Sequence, residues 1–239
     1  MMWKAEKIFA SIYTENSWGD PESRSGPGSG VARTELLRPR LTRLMQDLGV
    51  RSILDLPCGD FNWMRLTELP GIDYTGADIV RPLIERNHSL YSQPGRKFLL
   101  LNMVCDSLPK TDLILCRDGL VHLSFAEITC AIRKMIESGT TYLLATTFTA
   151  HSRNQDIATG DWRRLNLTIA PFCFPEPLQM VTDARPDGTM ADKMLALYRL
   201  ADLSNPLLRL ERKATEVLVP NALRRGLVRL QNVLGARKA

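Results

Sequence analysis

The sequence predicts a doubly wound α/β fold, with a seven-stranded and mostly parallel sheet that ends in an antiparallel hairpin. Three observations predict it. Strand-like apolar runs alternate with helical stretches between residues 52 and 147. Several of these runs are apolar on both faces, as buried parallel strands are. Two later runs are joined by residues 184–188, Ala-Arg-Pro-Asp-Gly, which is a strong turn signal.

Residues 1–33 precede this pattern and form an unusual leader. Its centre, from Ser23 to Gly30, is rich in glycine, serine and proline, which excludes a helix or a central strand there. Apolar side chains around this centre offer anchors, and they are Trp3, Phe9, Ile12, Tyr13 and Trp18. We expect a folded lid, with a flexible linker as the alternative.

The elements then follow in order within a catalytic domain of residues 34–200. A helix begins with Thr34 as its cap and ends at Gly49. The strands are expected at 52–56, 74–78, 97–102, 112–116, 141–147, 178–182 and 193–200. Helical stretches are expected near 64–69, 81–91 and 125–138.

The last segment, residues 201–239, carries the whole net charge of +5. Apolar residues alternate with arginines there, which predicts one or two basic amphipathic helices interrupted at Pro220. A helix packed on the domain is the default, and peripheral contact with an anionic membrane is the alternative. Nucleic acid is not expected as a partner, because aromatic residues are not interleaved with the basic ones.

The composition is that of a folded globular protein, with 44% apolar and 24% charged residues. The start lacks the apolar core of a signal peptide, and no run approaches the roughly 18 apolar residues of a membrane-spanning helix. We therefore expect a cytoplasmic protein, with peripheral contact at the inner face of the membrane through its tail as the alternative. The five cysteines form no CxxC motif, and no metal is expected.

Polar residues at three successive strand ends predict a nucleoside site. The first strand leads through Asp55, Pro57, Gly59 and Asp60 into a helix start. Ligands of open α/β sheets bind at this carboxyl edge, and a glycine there lets the backbone approach them. The second strand ends with a carboxylate that suits ribose hydroxyls, and the third with an amide and an apolar side chain that suit adenine. These residues are Asp78 with Ile79, and Asn102 with Met103.

A nicotinamide cofactor is the main competitor for this site. Its first turn would read GxGxxG, but this chain has Pro57, Gly59 and Asn62 at the glycine positions. Asp55 and Asp60 also put negative charge where a pyrophosphate would lie. The same carboxylates suit an ammonium and a sulfonium, so the charge favours S-adenosylmethionine.

Residues 52–147 resemble the Rossmann-like core of class I S-adenosylmethionine-dependent methyltransferases. Asp55 to Gly59 resemble the first motif of that family and Asp78 its ribose-binding acid, although Pro57 and Asn102 stand where the family usually has Gly and Asp. The resemblance implies that Asp55 and Gly59 flank the methionine part.

Motifs as far as about residue 200 extend the resemblance to a bacterial subgroup linked to surface glycans and lipochitooligosaccharide nodulation signals. These are Asn16-x-Trp18-Gly19, the leader, residues 116–124 and residues 162–167. The resemblance implies methylation of a sugar hydroxyl, including O-2 of fucose, with Asp118 beside the methyl group.

Methyl transfer to a hydroxyl benefits from a general base near the end of the fourth strand or after the fifth. His122 suits this role because imidazole titrates near neutrality, and a brace for the loop is its alternative role. Asp118 is the second candidate and His151 the third. Arg117 is placed among the cofactor-binding residues, and binding of an acidic acceptor or a salt bridge are its alternatives.

The segment after the fifth strand mixes polar side chains with an aromatic ring, as carbohydrate sites do. The candidate substrate-binding residues are Asn154, Asp156, Trp162, Arg163 and Asn166. An ordinary surface loop anchored by its tryptophan is the alternative.

Taken together, the sequence predicts an O-methyltransferase that acts on a small molecule or a carbohydrate. The alternatives are an RNA or protein methyltransferase and a cofactor-binding scaffold without catalysis. The chain has no Asn/Asp-Pro-Pro-Tyr/Phe motif after the fourth strand, which argues against methylation of base nitrogens.

Overall fold

A computed structural model describes residues 4–185 and 187–208 of the chain. Four helices lie in this part: α1 (Lys4–Glu15), α2 (Leu37–Asp47), α3 (Arg81–Tyr91) and α4 (Phe125–Glu137). The strands are β1 (Ser52–Asp55), β2 (Asp73–Asp78), β3 (Arg96–Leu100), β4 (Leu113–Cys116), β5 (Tyr142–Phe148), β6 (Gln179–Thr182) and β7 (Lys193–Arg199).

The seven strands form one sheet in the order β3-β2-β1-β4-β5-β7-β6. Strands β1 to β5 pair in parallel, whereas β7 is antiparallel to both β5 and β6. This confirms the predicted doubly wound sheet with its terminal hairpin. From β1 the strands are added towards one edge of the sheet as far as β3, and from β4 they are added towards the other edge. Ligands of such folds bind at the carboxyl edge beside the point where this order reverses.

The core covers both faces of the sheet, which explains why the strands are apolar on both sides. Neighbouring residues of β1 show this, because Leu54 packs with α4 on one face and Ile53 packs with α2 and α3 on the other. Both side chains are fully buried. Burial of such a side chain contributes about 1.5–3 kcal/mol, so these strands hold the site at their ends rigidly.

Two predicted helices differ in the structure. Thr34 does not cap α2, which begins at Leu37, because the Thr34 hydroxyl donates to the carbonyl of Gly30 within a preceding turn. The stretch predicted as a helix at 64–69 is a single 3₁₀ turn, Met64–Leu66. Pro70 disfavours helical backbone at the residue before it, which the apolar pattern alone did not reveal.

The two ends of the chain also contact the domain. Phe9 of α1 packs against the core on both faces of the sheet. At the other end, Leu203 and Leu207 are buried in the core. The rest of the predicted basic tail, residues 209–239, lies outside the described residues, so its helices and its membrane contact remain predictions. Among the helices that the structure describes, none is long and apolar enough to cross a membrane.

Candidate active site

A cavity of about 400 Å³ lies at the carboxyl edge of the sheet. We call one part of it the β1–β3 end, whose wall includes Asp55, Gly59, Asp78, Asn102 and Met103. We call the other part the β4–β7 end, whose wall includes Asp118, His122, Trp162, Asp183 and Lys193. The volume is in the range of pockets that hold a cofactor or a small ligand.

Asp55 ends β1 and is buried at the base of the β1–β3 end. Its carboxylate accepts a hydrogen bond of 2.7 Å from the Tyr74 hydroxyl. Burial raises the pKa of Asp55 to about 7, although the bond from Tyr74 and the charge of Arg117 oppose the increase. The site therefore stores an unfavourable negative charge that a positively charged ligand would stabilise.

Asp78 ends β2 and accepts two backbone hydrogen bonds. The N–H groups of Gly59 and Val80 donate to its two oxygens at 3.1 and 3.0 Å. Burial raises the pKa of Asp78 to about 6, and these bonds limit the increase. The carboxylate is thus fixed in orientation, and each oxygen keeps a lone pair for a ligand hydroxyl. Ile79 lines the cavity beside it.

Asn102 and Met103 follow β3, as the sequence predicts, and both line the cavity. The side-chain oxygen of Asn102 accepts from the N–H of Val104 at 2.9 Å, which closes a local turn. The amide nitrogen of Asn102 is then the group of this side chain left to meet a ligand. Met103 adds apolar surface to the cavity wall.

The leader closes the cavity beside Gly59. A Cβ on Gly59 would lie 2.3 Å from Oγ of Ser25, and the residue has a φ of +54°. The sequence predicts that a ligand approaches the backbone at Gly59. In the structure, the leader residue Ser25 occupies the space that the missing side chain leaves. Pro57 lines the cavity, and a Cβ on Gly119 would meet its ring at 2.5 Å.

Asp60 also contacts the leader and is absent from the cavity wall, so it is not in a position to bind a cofactor directly. Its carboxylate accepts from the Ser23 hydroxyl at 3.0 Å and from the Arg24 N–H at 2.9 Å. Its own N–H donates to Oγ of Ser25 at 2.8 Å. The predicted cofactor ligand is therefore the main anchor of the leader.

Four ionised side chains form a cluster at the β4–β7 end. Arg117 donates to both oxygens of Asp183 at 3.0 Å, and a further N–H donates to the carbonyl of Gly28 at 2.9 Å. Lys193 contacts Asp118 at 2.6 Å and Asp183 at 2.9 Å. Two cations and two carboxylates thus neutralise one another. Arg117 has the salt-bridge role that the sequence allowed.

Asp118 follows β4 with a positive φ of 55°. Burial acts to raise its pKa, but Lys193 and Arg117 outweigh burial and hold the pKa well below its ordinary value. A carboxylate held as an anion by two cations is a weak proton acceptor. Asp118 is consequently better suited to orient groups than to act as the base.

His122 lies in a turn after β4 and lines the cavity. Its Nδ1 lies 2.9 Å from the carbonyl oxygen of Asp161. Since a carbonyl can only accept, Nδ1 carries the proton and Nε2 keeps a free lone pair. Burial lowers the pKa of His122, which favours the neutral ring. Trp18 and Phe9 pack around the imidazole.

The loop after β5 contributes less to the cavity than the sequence suggested. The side chains of Asn154 and Asn166 bond to backbone groups of the loop itself. Asp156 accepts from the N–H of Phe125 at the start of α4. None of these three, nor Arg163 or His151, lines the cavity. Their polar groups hold the loop together because its backbone lacks regular pairing.

Trp162 is the one predicted substrate residue in the cavity wall, and its side chain is 48% exposed. Its ring packs edge-on against Phe148. Arg163 instead stabilises the turn that contains His122, because its guanidinium donates a hydrogen bond of 2.9 Å to the carbonyl of Val121. The N–H of Gly160 donates to the carbonyl of His122 at 2.9 Å.

Sequence reasoning did not assign several cavity residues to the site. These are Trp18, Arg33, Phe148, Asp183, Arg185 and Lys193. Lys193 gave the clearest signal, since a lysine that begins an otherwise apolar strand needs a partner when it is buried. The partner Asp183 follows β6 and was not recognisable without the pairing of the hairpin.

No protein family model matches this chain, and no curated protein matches it in sequence. Solved structures do match it in fold, and three of them are methyltransferases with S-adenosylmethionine or S-adenosylhomocysteine bound. 1,6-Didemethyltoxoflavin-N1-methyltransferase from Burkholderia thailandensis, with its substrate and S-adenosylhomocysteine bound, has a TM-score of 0.56 at 14% identity over 82% of this chain and 86% of that one.

Magnesium protoporphyrin IX methyltransferase from Synechocystis PCC 6803, with bound S-adenosylmethionine, has a TM-score of 0.55 at 12% identity over 82% of this chain and 97% of that one. The N-methyltransferase NodS from Bradyrhizobium japonicum WM9, with bound S-adenosylhomocysteine, has a TM-score of 0.54 at 15% identity over 79% of this chain and 98% of that one. The likeness shows that this chain has the fold of class I methyltransferases.

Proposed function

We propose that this protein is an S-adenosylmethionine-dependent methyltransferase that methylates a hydroxyl group of a small molecule or carbohydrate. The observation that carries the proposal is Asp78. Its carboxylate ends the second strand of the sheet, is oriented by the N–H groups of Gly59 and Val80, and faces a cavity suited to one cofactor. Carboxylates in this position of doubly wound folds bind ribose hydroxyls.

The residues of the β1–β3 end fit the rest of the cofactor. Asn102 and Met103 line the cavity and would offer an amide and an apolar surface to adenine, and Asp55 would offer negative charge to the sulfonium. The raised pKa of Asp55 means that a cationic ligand gains more there than a neutral one. A pyrophosphate would instead face two buried carboxylates, which argues against a nicotinamide cofactor.

S-adenosylmethionine supplies a methyl group on a positively charged sulfur. The chain's own contribution would be to hold an acceptor hydroxyl near that group and to receive its proton. Nε2 of His122 is the base in this proposal, because Nδ1 is committed to Asp161 and the ring is neutral. The acceptor oxygen would gain the methyl group as the methyl–sulfur bond breaks, S-adenosylhomocysteine would leave with that electron pair, and the hydroxyl proton would pass to Nε2.

The β4–β7 end suits a sugar acceptor. Aromatic rings of Trp18, Phe148 and Trp162 line it together with the charged cluster around Asp118. Rings of this kind pack against the apolar faces of sugars while charged groups bond to their hydroxyls. The resemblance to glycan- and nodulation-linked enzymes supports a sugar of a lipochitooligosaccharide, including O-2 of fucose, as the acceptor. The structural neighbour NodS is itself an N-methyltransferase, so the methylated atom requires direct measurement.

Isothermal titration of the purified full chain with S-adenosylhomocysteine, S-adenosylmethionine and NAD tests the cofactor. We expect saturable binding of the first two and none of NAD. Binding of NAD alone would overturn the proposal. Mass spectrometry of surface glycans and signal oligosaccharides from a deletion strain tests the acceptor. A species lighter by one methylene unit is expected, and an unchanged set would exclude these glycans.

A further inference from the structure

Two arginines of the cavity wall, Arg33 and Arg185, come from segments far apart in the sequence. Arg33 lies at the end of the leader, in a 3₁₀ turn, Ala32–Thr34. Arg185 follows β6 in the hairpin. Both side chains are half-buried and both line the same cavity as Asp118 and His122. We call them the arginine pair.

The other cations of the cavity wall have partners, whereas the arginine pair has none within residues 4–185 and 187–208. Arg117 and Lys193 are neutralised within the charged cluster. The guanidinium of Arg24 donates to the carbonyls of Tyr13 and Thr14. Among the described residues, no side-chain hydrogen bond or ion pair holds Arg33 or Arg185, and Nη1 of Arg33 is buried without a hydrogen-bond partner.

The two guanidinium groups share one neighbourhood. Hydrogen bonds from Thr189 lower the pKa of Asp187, and the positive charges of Arg185 and Arg33 both add to this lowering. Asp187 is fully exposed and bonds to Thr189 at 2.6 and 2.8 Å, so it makes no ion pair with either arginine. The cavity therefore has an excess of positive charge beside the hairpin.

We propose that Arg33 and Arg185 bind an acidic group, a carboxylate or a phosphate, carried by the acceptor. This rests on the proposed methyltransferase function and specifies its substrate class as an anionic carbohydrate or small molecule. Guanidinium groups bind both anions through paired N–H donors. The sequence analysis allowed this role for Arg117, but Asp183 occupies the guanidinium of Arg117.

The cofactor has a carboxylate of its own, on its methionine part, and the position of Arg185 argues against that ligand. Strand β6 is at the far edge of the sheet, with β7, β5 and β4 between it and β1. Four strand spacings of about 4.8 Å amount to roughly 19 Å. Arg185 is thus on the side of the β4–β7 end, where the acceptor is proposed to lie, and Arg33 of the leader acts on the same carboxylate, Asp187, as Arg185 does.

The test uses the full chain saturated with S-adenosylhomocysteine and three probes: glucuronic acid, glucose 6-phosphate and neutral glucose. Calorimetry or ligand-detected NMR is applied to the wild type and to the variants Arg33→Gln and Arg185→Gln. Arg51→Gln is the matched control, because it removes the same charge from an exposed position just before β1, at the opposite edge of the strands. Circular dichroism and thermal melting verify that each variant is folded.

We expect at least one acid to bind, and each variant of the pair to weaken it by about tenfold, which is the loss of one charged hydrogen bond. The control and neutral glucose should show no such dependence, and affinity for S-adenosylhomocysteine should be unchanged. Failure of the wild type to prefer either acid over glucose would overturn the proposal.

A second outcome would also overturn it. If the variants bind S-adenosylhomocysteine more weakly but bind its decarboxylated analogue normally, the pair holds the methionine carboxylate instead. Failure of the wild type to bind S-adenosylhomocysteine at all would refute the proposed function itself, so the two failures are distinguishable.

Discussion

The two ends of the cavity are built on different principles. At the β1–β3 end, each polar group lies at or just after the end of its own strand, and Asp78 is oriented by the backbone N–H groups of Gly59 and Val80. At the β4–β7 end, ionised side chains from two distant segments, the turn after β4 and the β6–β7 hairpin, orient one another, as Asp118, Asp183 and Lys193 do. The β1–β3 end therefore has unpaired negative charge that a ligand can meet, whereas most charges of the β4–β7 end are neutralised by ion pairs with one another.

This difference indicates which end of the cavity can change its ligand when the sequence changes. The β1–β3 end depends on strand geometry, so its ligand is fixed by the fold. The β4–β7 end depends on which residues the leader, the loop after β5 and the hairpin bring together. We infer that specificity for the acceptor resides in these three segments, as is usual for loops carried on a rigid sheet.

The largest effect is expected at the β4–β7 end, from His122→Gln. If His122 is the base, kcat should fall by about 10²- to 10⁴-fold while cofactor affinity is retained. The chain has three histidines, so His88→Gln on the exposed face of α3 is a matched control and His151→Gln tests the alternative base. Activity of His122→Gln equal to wild type would leave His122 a brace.

The pH profile of the wild type provides a further check on His122. Burial lowers the pKa of this imidazole, and only the neutral ring can accept a proton. At saturating cofactor, kcat should therefore stay constant as the pH falls through the ordinary imidazole value of about 6.5 and decrease only below it. A decrease that begins above that value would contradict a buried base.

At the β1–β3 end, Asp78→Ala should weaken binding of S-adenosylhomocysteine by about 100-fold, because two charge-assisted hydrogen bonds to ribose are lost. Asp73→Ala is the control, since Asp73 is exposed at the other end of the same strand. Wild-type affinity should itself decrease as the pH falls through about 6, where Asp78 becomes protonated. Unchanged affinity in the variant would remove the ribose assignment.

Asp55→Asn should make the ligand-free protein more stable at pH 8, by roughly 2 kcal/mol in urea unfolding. The reason is that burial raises the pKa of Asp55 to about 7, so the folded protein binds more protons than the unfolded chain between about pH 4 and 7. Stability of the wild type therefore decreases as the pH rises through this window, and the advantage of the variant should vanish near pH 4.

A carboxylate with the opposite shift is the control for Asp55. Backbone and side-chain hydrogen bonds around Arg51 and Ser52 lower the pKa of Asp112, despite some burial. Asp112→Asn should destabilise the protein at pH 8. A wild type that is more stable than Asp55→Asn at pH 8 would contradict the charge stored at the β1–β3 end.

The smallest effect is expected from Arg163→Lys, which keeps the charge but loses part of the brace behind His122. We expect kcat to fall by about tenfold through misalignment of the imidazole, with cofactor affinity unchanged. The pH dependence should also shift, because the ring is no longer held against Asp161. An unaltered pH profile would mean that Arg163 only stabilises the loop.

The fold and the β1–β3 end were predictable because their signals are local. Each strand has its own apolar run, and parallel strands must bring Asp55, Asp78 and Asn102 to one edge. The sequence also named Asp118, His122 and Trp162 of the β4–β7 end, but it did not predict the charged cluster there, because Lys193 meets Asp118 across 75 positions of sequence. The polar residues of the loop after β5 were assigned to the substrate for a related reason. The sequence shows that Asn154 is polar, but it does not show that its side chain bonds to the backbone of the same loop.

Arg117 connects three parts of the protein through one side chain. Its guanidinium donates to Gly28 of the leader and to Asp183 after β6, while its backbone continues from β4. Because a buried guanidinium is costly once a partner leaves, release of the hairpin should loosen the leader as well. The two segments would then open as one cooperative unit, with matching hydrogen-exchange protection, and the cavity would be uncovered in a single event.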